Sequence, residues 1–64
     1  MTLEDGIKMY LRDRSDGVFV DKILTAFAHE GEYTVKSKIV DMLRAGTLNM
    51  GMEDRRIRLE TKDL

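Results

Sequence analysis

Proline, cysteine and tryptophan are absent from this chain of 64 residues, and histidine occurs once. Without cysteine there is neither a disulfide staple nor a thiolate metal site, and one histidine leaves little for a transition-metal cage. No apolar run approaches a membrane span and no signal-peptide pattern opens the chain, so a reducing cytoplasm is the expected location and no membrane is involved. No charge sign dominates either: 11 basic against 12 acidic residues give a formal net charge of −1. Composition therefore casts no electrostatic vote for nucleic acid. Hydrophobic residues make up 42 % and charged residues 36 %, a balance that suits one small folded domain over residues 1–64. A chain this short buries only about 60 % of its unfolded surface, so further stability is expected from self-association or a partner.

The stretch from Tyr33 to Leu59 is the most informative. Val35, Ile39, Met42 and Leu43 recur at i, i+4, i+7 and i+8, one buried stripe of a helix. Thr34 is the expected N-cap, and Gly46 is placed where a left-handed residue ends a helix. Leu48, Met50 and Met52 then alternate with Asn49 and Gly51, and Ile57 and Leu59 alternate with Arg56, Arg58 and Glu60. Period two replaces period 3.6, which predicts a β-hairpin with Gly51 to Arg55 as its loop.

Upstream, Thr2 is positioned to cap a first helix with Glu4 and Asp5 at its positive end, and Leu3, Ile7, Tyr10 and Leu11 form its apolar stripe. Gly6 inside that helix costs roughly 1 kcal/mol relative to alanine, which calls for close packing or simple tolerance. Met9 lies off the stripe, an incidental exposure or part of a dimer contact. Ser15-Asp16-Gly17 is a turn signal. Val18-Phe19-Val20 reads as a very short strand, followed by a second helix capped by Asp21 and running through His29. The rival is one longer helix capped by Asp16, since Val20, Ile23, Leu24, Phe27 and Ala28 also fit helical spacing; the strand is preferred. Glu30-Gly31-Glu32 breaks the second helix, and residues 61–64 are expected to fray. The methionines mostly sit at apolar spacings, which suits a malleable core.

Helix, short strand, helix, helix, strand, loop, strand is an α+β order, three helices and a C-terminal hairpin. It resembles the winged helix-turn-helix superfamily, with Thr34-Val-Lys-Ser-Lys-Ile-Val-Asp-Met-Leu-Arg-Ala-Gly-Thr-Leu looking like a recognition helix entering its first wing strand. Stand-alone chains of this size are similar to small phage, plasmid and archaeal regulators. The resemblance implies that the helix from Thr34 enters a DNA major groove and that the Gly51–Arg55 loop is the wing. On that reading Ser37, Asp41 and Arg44 project outward, with Lys36 and Lys38 on the flanks reaching phosphates. Arg44 suits guanine and Ser37 either strand, whereas Asp41 repels phosphate and helps only by accepting from a cytosine amino group. Arg55 in the loop, and Arg56 and Arg58 on the last strand, are candidates for a narrow minor groove. Tyr33 is expected to pack, with its hydroxyl in reach of a phosphate. The bland alternative is a solvated helix face, and edge-strand charges that discourage aggregation beside Glu53, Asp54 and Glu60. His29 is expected to complement the end of the second helix.

The expected function is sequence-specific binding of double-stranded DNA by a homodimer that regulates transcription. The competing expectation is a protein–protein adaptor or inhibitor of the same fold, for example one of phage type occupying a host protein; the acidic net charge, Asp41 and Glu53-Asp54 favour it. A continuous positive face joining helix and wing would decide for DNA. No nucleophile–base set, phosphate loop, metal site or cofactor site is legible, so an enzyme is not expected.

Overall fold

Thr2 closes the first turn of the chain through a reciprocal pair of bonds in the computed structural model, which describes residues 2–14 and 17–62. The Asp5 N–H donates to the Thr2 hydroxyl at 3.1 Å and the Thr2 N–H donates to the Asp5 carboxylate at 3.5 Å. This capping box starts α1, Leu3–Arg12, and satisfies two backbone donors that a helix otherwise leaves orphaned. β1 is Val18–Phe19, α2 is Val20–Ala26, a 3-10 turn covers Ala28–Glu30, and α3 is Glu32–Arg44. β2, Leu48–Glu53, and β3, Arg56–Thr61, form the hairpin. The three strands make one antiparallel sheet in the order β1-β3-β2. Three helices and a C-terminal β-hairpin make an α+β arrangement compatible with the winged-helix layout. No helix among the described residues is long and apolar enough to cross a membrane.

The core is assembled from each predicted stripe. Ile7 and Leu11 of α1, Ile23 of α2, and Val35, Ile39 and Met42 of α3 meet Val18, Leu48 and Leu59 of the sheet, with Leu3, Tyr10, Val20, Leu24, Phe27 and Leu43 packed around them. No polar or charged side chain is buried among the described residues. Gly6 lies close against Phe27: a Cβ there would stand 3.2 Å from Cε1 of that ring, which would have to give by a few tenths of an ångström.

The strand reading of Val18-Phe19-Val20 holds over Val18–Phe19, and Val20 already belongs to α2. Leu59 lies opposite Val18, and that pairing gives the short apolar triplet a place in the sheet rather than in a longer helix. The Ser15-Asp16 part of the turn, Asp16 as the rival cap, and Asp63 and Leu64 of the tail lie outside the described residues.

Several expectations need correction. Asp21 does not cap α2; Phe19 occupies that place with no side-chain bond, and Asp21 sits in the first turn. α2 stops at Ala26, so His29 lies in the 3-10 turn and its Nε2 is 3.3 Å from Oε2 of Glu30 rather than at the helix end. α3 begins at Glu32, two residues before Thr34, because Gly31 at φ +93° redirects the chain and the Val35 N–H reaches the Gly31 carbonyl at 3.1 Å. Thr34 is thus inside the helix. The helix ends as expected: Gly46 is left-handed at φ +80°, its N–H donates to the Leu43 carbonyl, and the Thr47 N–H donates to the Met42 carbonyl, the two bonds of a Schellman motif.

The hairpin loop is not Gly51–Arg55. Strand pairing runs through Glu53↔Arg56, leaving a two-residue turn of Asp54 and Arg55 with φ of +52° and +65°, as in a type I′ turn whose twist matches the strands. Thr61 is paired rather than frayed, and the Lys62 N–H donates to the Thr47 carbonyl at 3.1 Å. The longer hairpin also explains why alternation did not mean burial. Beyond Leu48 and Leu59 no helix covers the sheet, so Met50, Met52 and Ile57 are 59 %, 69 % and 40 % exposed. Met9 is exposed too, and among the described residues Met42 is the methionine that joins the core.

Leu59→Ala removes a side chain closed off from solvent on the middle strand and should destabilise the domain by about 2–5 kcal/mol, whereas Met52→Ala should change stability by under about 0.5 kcal/mol. Urea midpoints of the two variants check this.

Candidate interaction surface

On α3 the buried stripe turns the opposite side to solvent, and Tyr33, Ser37, Val40, Asp41 and Arg44 share it. All five are exposed, Tyr33 at 83 % and Val40 at 45 %. Tyr33 therefore does not pack as expected: starting the helix at Glu32 rotates its ring outward. The projections expected for Ser37, Asp41 and Arg44 are observed. Thr34 is exposed beside them, and Lys36 and Lys38 flank the ridge, Lys38 half-buried. Lys36 donates to Glu32 at 2.9 Å, a turn away, so this cation is matched on its own helix. Asp41 stands among the outward residues, and the ridge carries both signs together with an aromatic ring and an isopropyl group.

The hairpin arginines divide. Arg55 sits at the tip, exposed, and has no ion-pair partner among the described residues. Arg56 and Arg58 alternate with Ile57 and Leu59, and Leu59 points into the core against which α3 packs. The two arginines consequently project from the other face of the sheet, away from the α3 side. There they meet Phe19, which lies directly opposite Arg58 in the ladder. The Arg56 guanidinium is 3.8 Å from the Phe19 ring centroid and bonds Asp21 at 3.1 Å. The Arg58 guanidinium lies 5.4 Å from the same ring and pairs with the Glu53 carboxylate. Asp21 thus anchors an arginine instead of capping a helix.

Two surfaces result rather than one. The α3 ridge holds Tyr33, Thr34, Ser37, Val40, Asp41 and Arg44; the sheet's outer face holds Arg56 and Arg58 stacked on Phe19 and neutralised by Asp21 and Glu53. Sequence reasoning missed Phe19 as the platform, though its place opposite Arg58 follows once β1 pairs with β3. It also missed Tyr33 and Val40 as a pair, although their seven-residue spacing puts both on one side of a helix. No group of three or more histidine, cysteine, aspartate or glutamate side chains placed to hold a metal occurs among the described residues.

No protein-family profile matches the chain, and neither the curated proteins nor the solved structures compared with it match.

A left-handed backbone at Arg55 disfavours any residue with a Cβ, by about 1–2 kcal/mol in the least tolerant cases. Arg55→Gly should therefore stabilise the domain by up to about 1 kcal/mol, read as a raised urea midpoint. Arg56→Lys keeps the charge but loses the planar stack on Phe19 and should cost about 0.5–1 kcal/mol. Asp21→Asn removes an exposed ion pair and a first-turn carboxylate, both weak contributions, and should cost under about 1 kcal/mol in the same assay.

Proposed function

We propose that this domain binds a protein partner, as a winged-helix adaptor or inhibitor does, and that the outer ridge of α3 is the surface it offers. The observation that carries the reading is the pairing of its cations. Lys36, Arg56 and Arg58 each face a carboxylate of the same chain, and Arg56 and Arg58 project away from α3. DNA affinity rests on releasing counterions from roughly 6–10 phosphates in a typical binder. The ridge and hairpin tip offer Arg44, Arg55 and half-buried Lys38, set against Asp41 and Asp54. An exposed tyrosine and, about two turns on along the same ridge, an exposed valine suit a protein surface, where aromatic anchors contribute most of the binding energy.

Double-stranded DNA is the second reading, and one observation favours it. Arg55 occupies a left-handed turn position where glycine would be easier, so an arginine stands there despite a backbone penalty, at the tip that a winged helix sends toward the duplex. Exposed ion pairs such as Lys36–Glu32 are weak and exchange readily for phosphate. Sequence-specific binding and transcriptional regulation by a homodimer belong to this second reading.

Anisotropy titration of a short random-sequence duplex in about 50 mM salt should show no binding up to about 10 µM protein. A photo-crosslinking side chain at Val40, in the source cell, should give one dominant adduct to another protein, lost with Tyr33→Ala and absent when the group is placed at Lys22. Duplex binding that weakens steeply with salt and falls with Arg44→Ala and Arg55→Ala, with no adduct at Val40, would replace the protein reading with DNA.

A further inference from the structure

β2 ends the sheet, and the phase of its hydrogen bonds is set by one contact. The Lys62 N–H donates to the Thr47 carbonyl, so Thr47 and the positions two, four and six residues on (Asn49, Gly51 and Glu53) turn their backbone groups toward β3. The intervening Leu48, Met50 and Met52 turn theirs to the open edge. A two-residue hairpin gives the same phase independently, because the residues flanking its turn, Glu53 and Arg56, form a hydrogen-bonded pair. Around Met50 and Met52 the edge carries no proline, no lysine and no inward charge, and Glu53 at its end is the one charged residue along Leu48–Glu53. The same two methionines, with Ile57, are also the large apolar side chains that the sheet leaves exposed among the described residues.

We propose that this edge docks a second copy of the chain, β2 against β2 antiparallel, with the two-fold axis passing at Gly51. In that register Met50 exchanges both backbone bonds with the partner's Met52, and Met52 with the partner's Met50. The two Gly51 residues face each other as a non-hydrogen-bonded pair, the closer of the two kinds of antiparallel pair, and no side chain stands on the axis. Met50, Met52 and Ile57 of both copies form one apolar strip on the face continuous with the core. On the other face Glu53 lies opposite the partner's Asn49, so no like charges oppose each other. An edge that bonds its own copy is self-complementary, as a two-fold interface requires. Paired glycines on the axis, apolar strips that merge and the absence of opposed like charges argue for a second copy as the occupant. The α3 ridge takes no part, so this proposal stands or falls apart from the partner reading above.

The chain has no cysteine, which makes a single introduced thiol a clean reporter. A Cβ at Gly51 meets nothing within 4 Å, and its φ is not left-handed, so Gly51→Cys leaves the hairpin intact. Across the axis the Cα atoms of two such residues lie about 4.5 Å apart, within disulfide range. Thiols at Asn49 and the partner's Asn49 lie roughly 13 Å apart, four residues along the strand at about 3.3 Å each. Under mild oxidation Gly51→Cys should become a covalent dimer at least tenfold faster than Asn49→Cys. Sedimentation equilibrium of the unmodified chain should shift from 7.4 kDa to twice that mass with rising concentration. Met50→Lys with Met52→Lys, both at exposed positions, should stay at the monomer mass with an unchanged circular dichroism spectrum. A chain that stays monomeric into the hundreds of micromolar, or equal crosslinking at both positions, would overturn the proposal.

Discussion

Leu59 is closed off from solvent on the middle strand, with Val18 opposite it on one side and Met50 on the other. Through that one position the sheet joins the two ends of the chain. The segment after α1 is laddered to β3 at Val18–Phe19, and the hairpin contributes Leu48 and Leu59 to the core it shares with the helices. Burial of a leucine-sized side chain contributes about 1.5–3 kcal/mol, a large share of the stability available to so small a domain. Two strand residues that would not persist alone become a strand because β3 offers them a ladder and Leu59 offers Val18 a neighbour.

The same geometry separates the charged groups. Alternation on β3 commits Leu59 to the core and Arg56 and Arg58 to the far side, where Phe19 gives them a ring to lie on and Asp21 and Glu53 give them counter-charges. Clustering of arginines along a sequence is therefore a poor guide to a positive surface. What matters is which face they take and what faces them there. On α3, likewise, Lys36 finds Glu32 one turn earlier because the helix starts sooner than its threonine suggested.

What was legible followed from periodicity and punctuation. The stripes Ile7–Leu11 and Val35–Ile39–Met42, the Thr2 cap, the Gly46 stop and the hairpin all express short-range rules, and all are present. What was not legible depended on how far one element extends past another. Nothing local says that β2 and β3 continue beyond the helices, so Met50, Met52 and Ile57 looked like core. The turn was misplaced because Gly51 invites a bend, whereas the backbone turns at Asp54 and Arg55, neither of them a glycine. Tyr33 was misread for a related reason: Gly31, not Thr34, decides where α3 begins, and two residues of helix are enough to carry a side chain from the packed side to the wet one. Of the candidate surface, the outward set Ser37, Asp41 and Arg44 was readable from the helical wheel, but the intramolecular partners of the cations were not.

The core holds no polar or charged side chain among the described residues. No side chain inside it penalises a neighbouring arrangement by leaving a donor or acceptor stranded, and apolar shape alone discriminates weakly between packings. The choice of one arrangement is delegated to the punctuation around it: the Thr2–Asp5 box, Gly31, the Schellman close at Gly46 and the paired left-handed residues of the hairpin turn. Such a molecule can exchange one aliphatic interior for another over many generations and keep its shape. Its outline is written in a few hinge residues rather than in the oil between them.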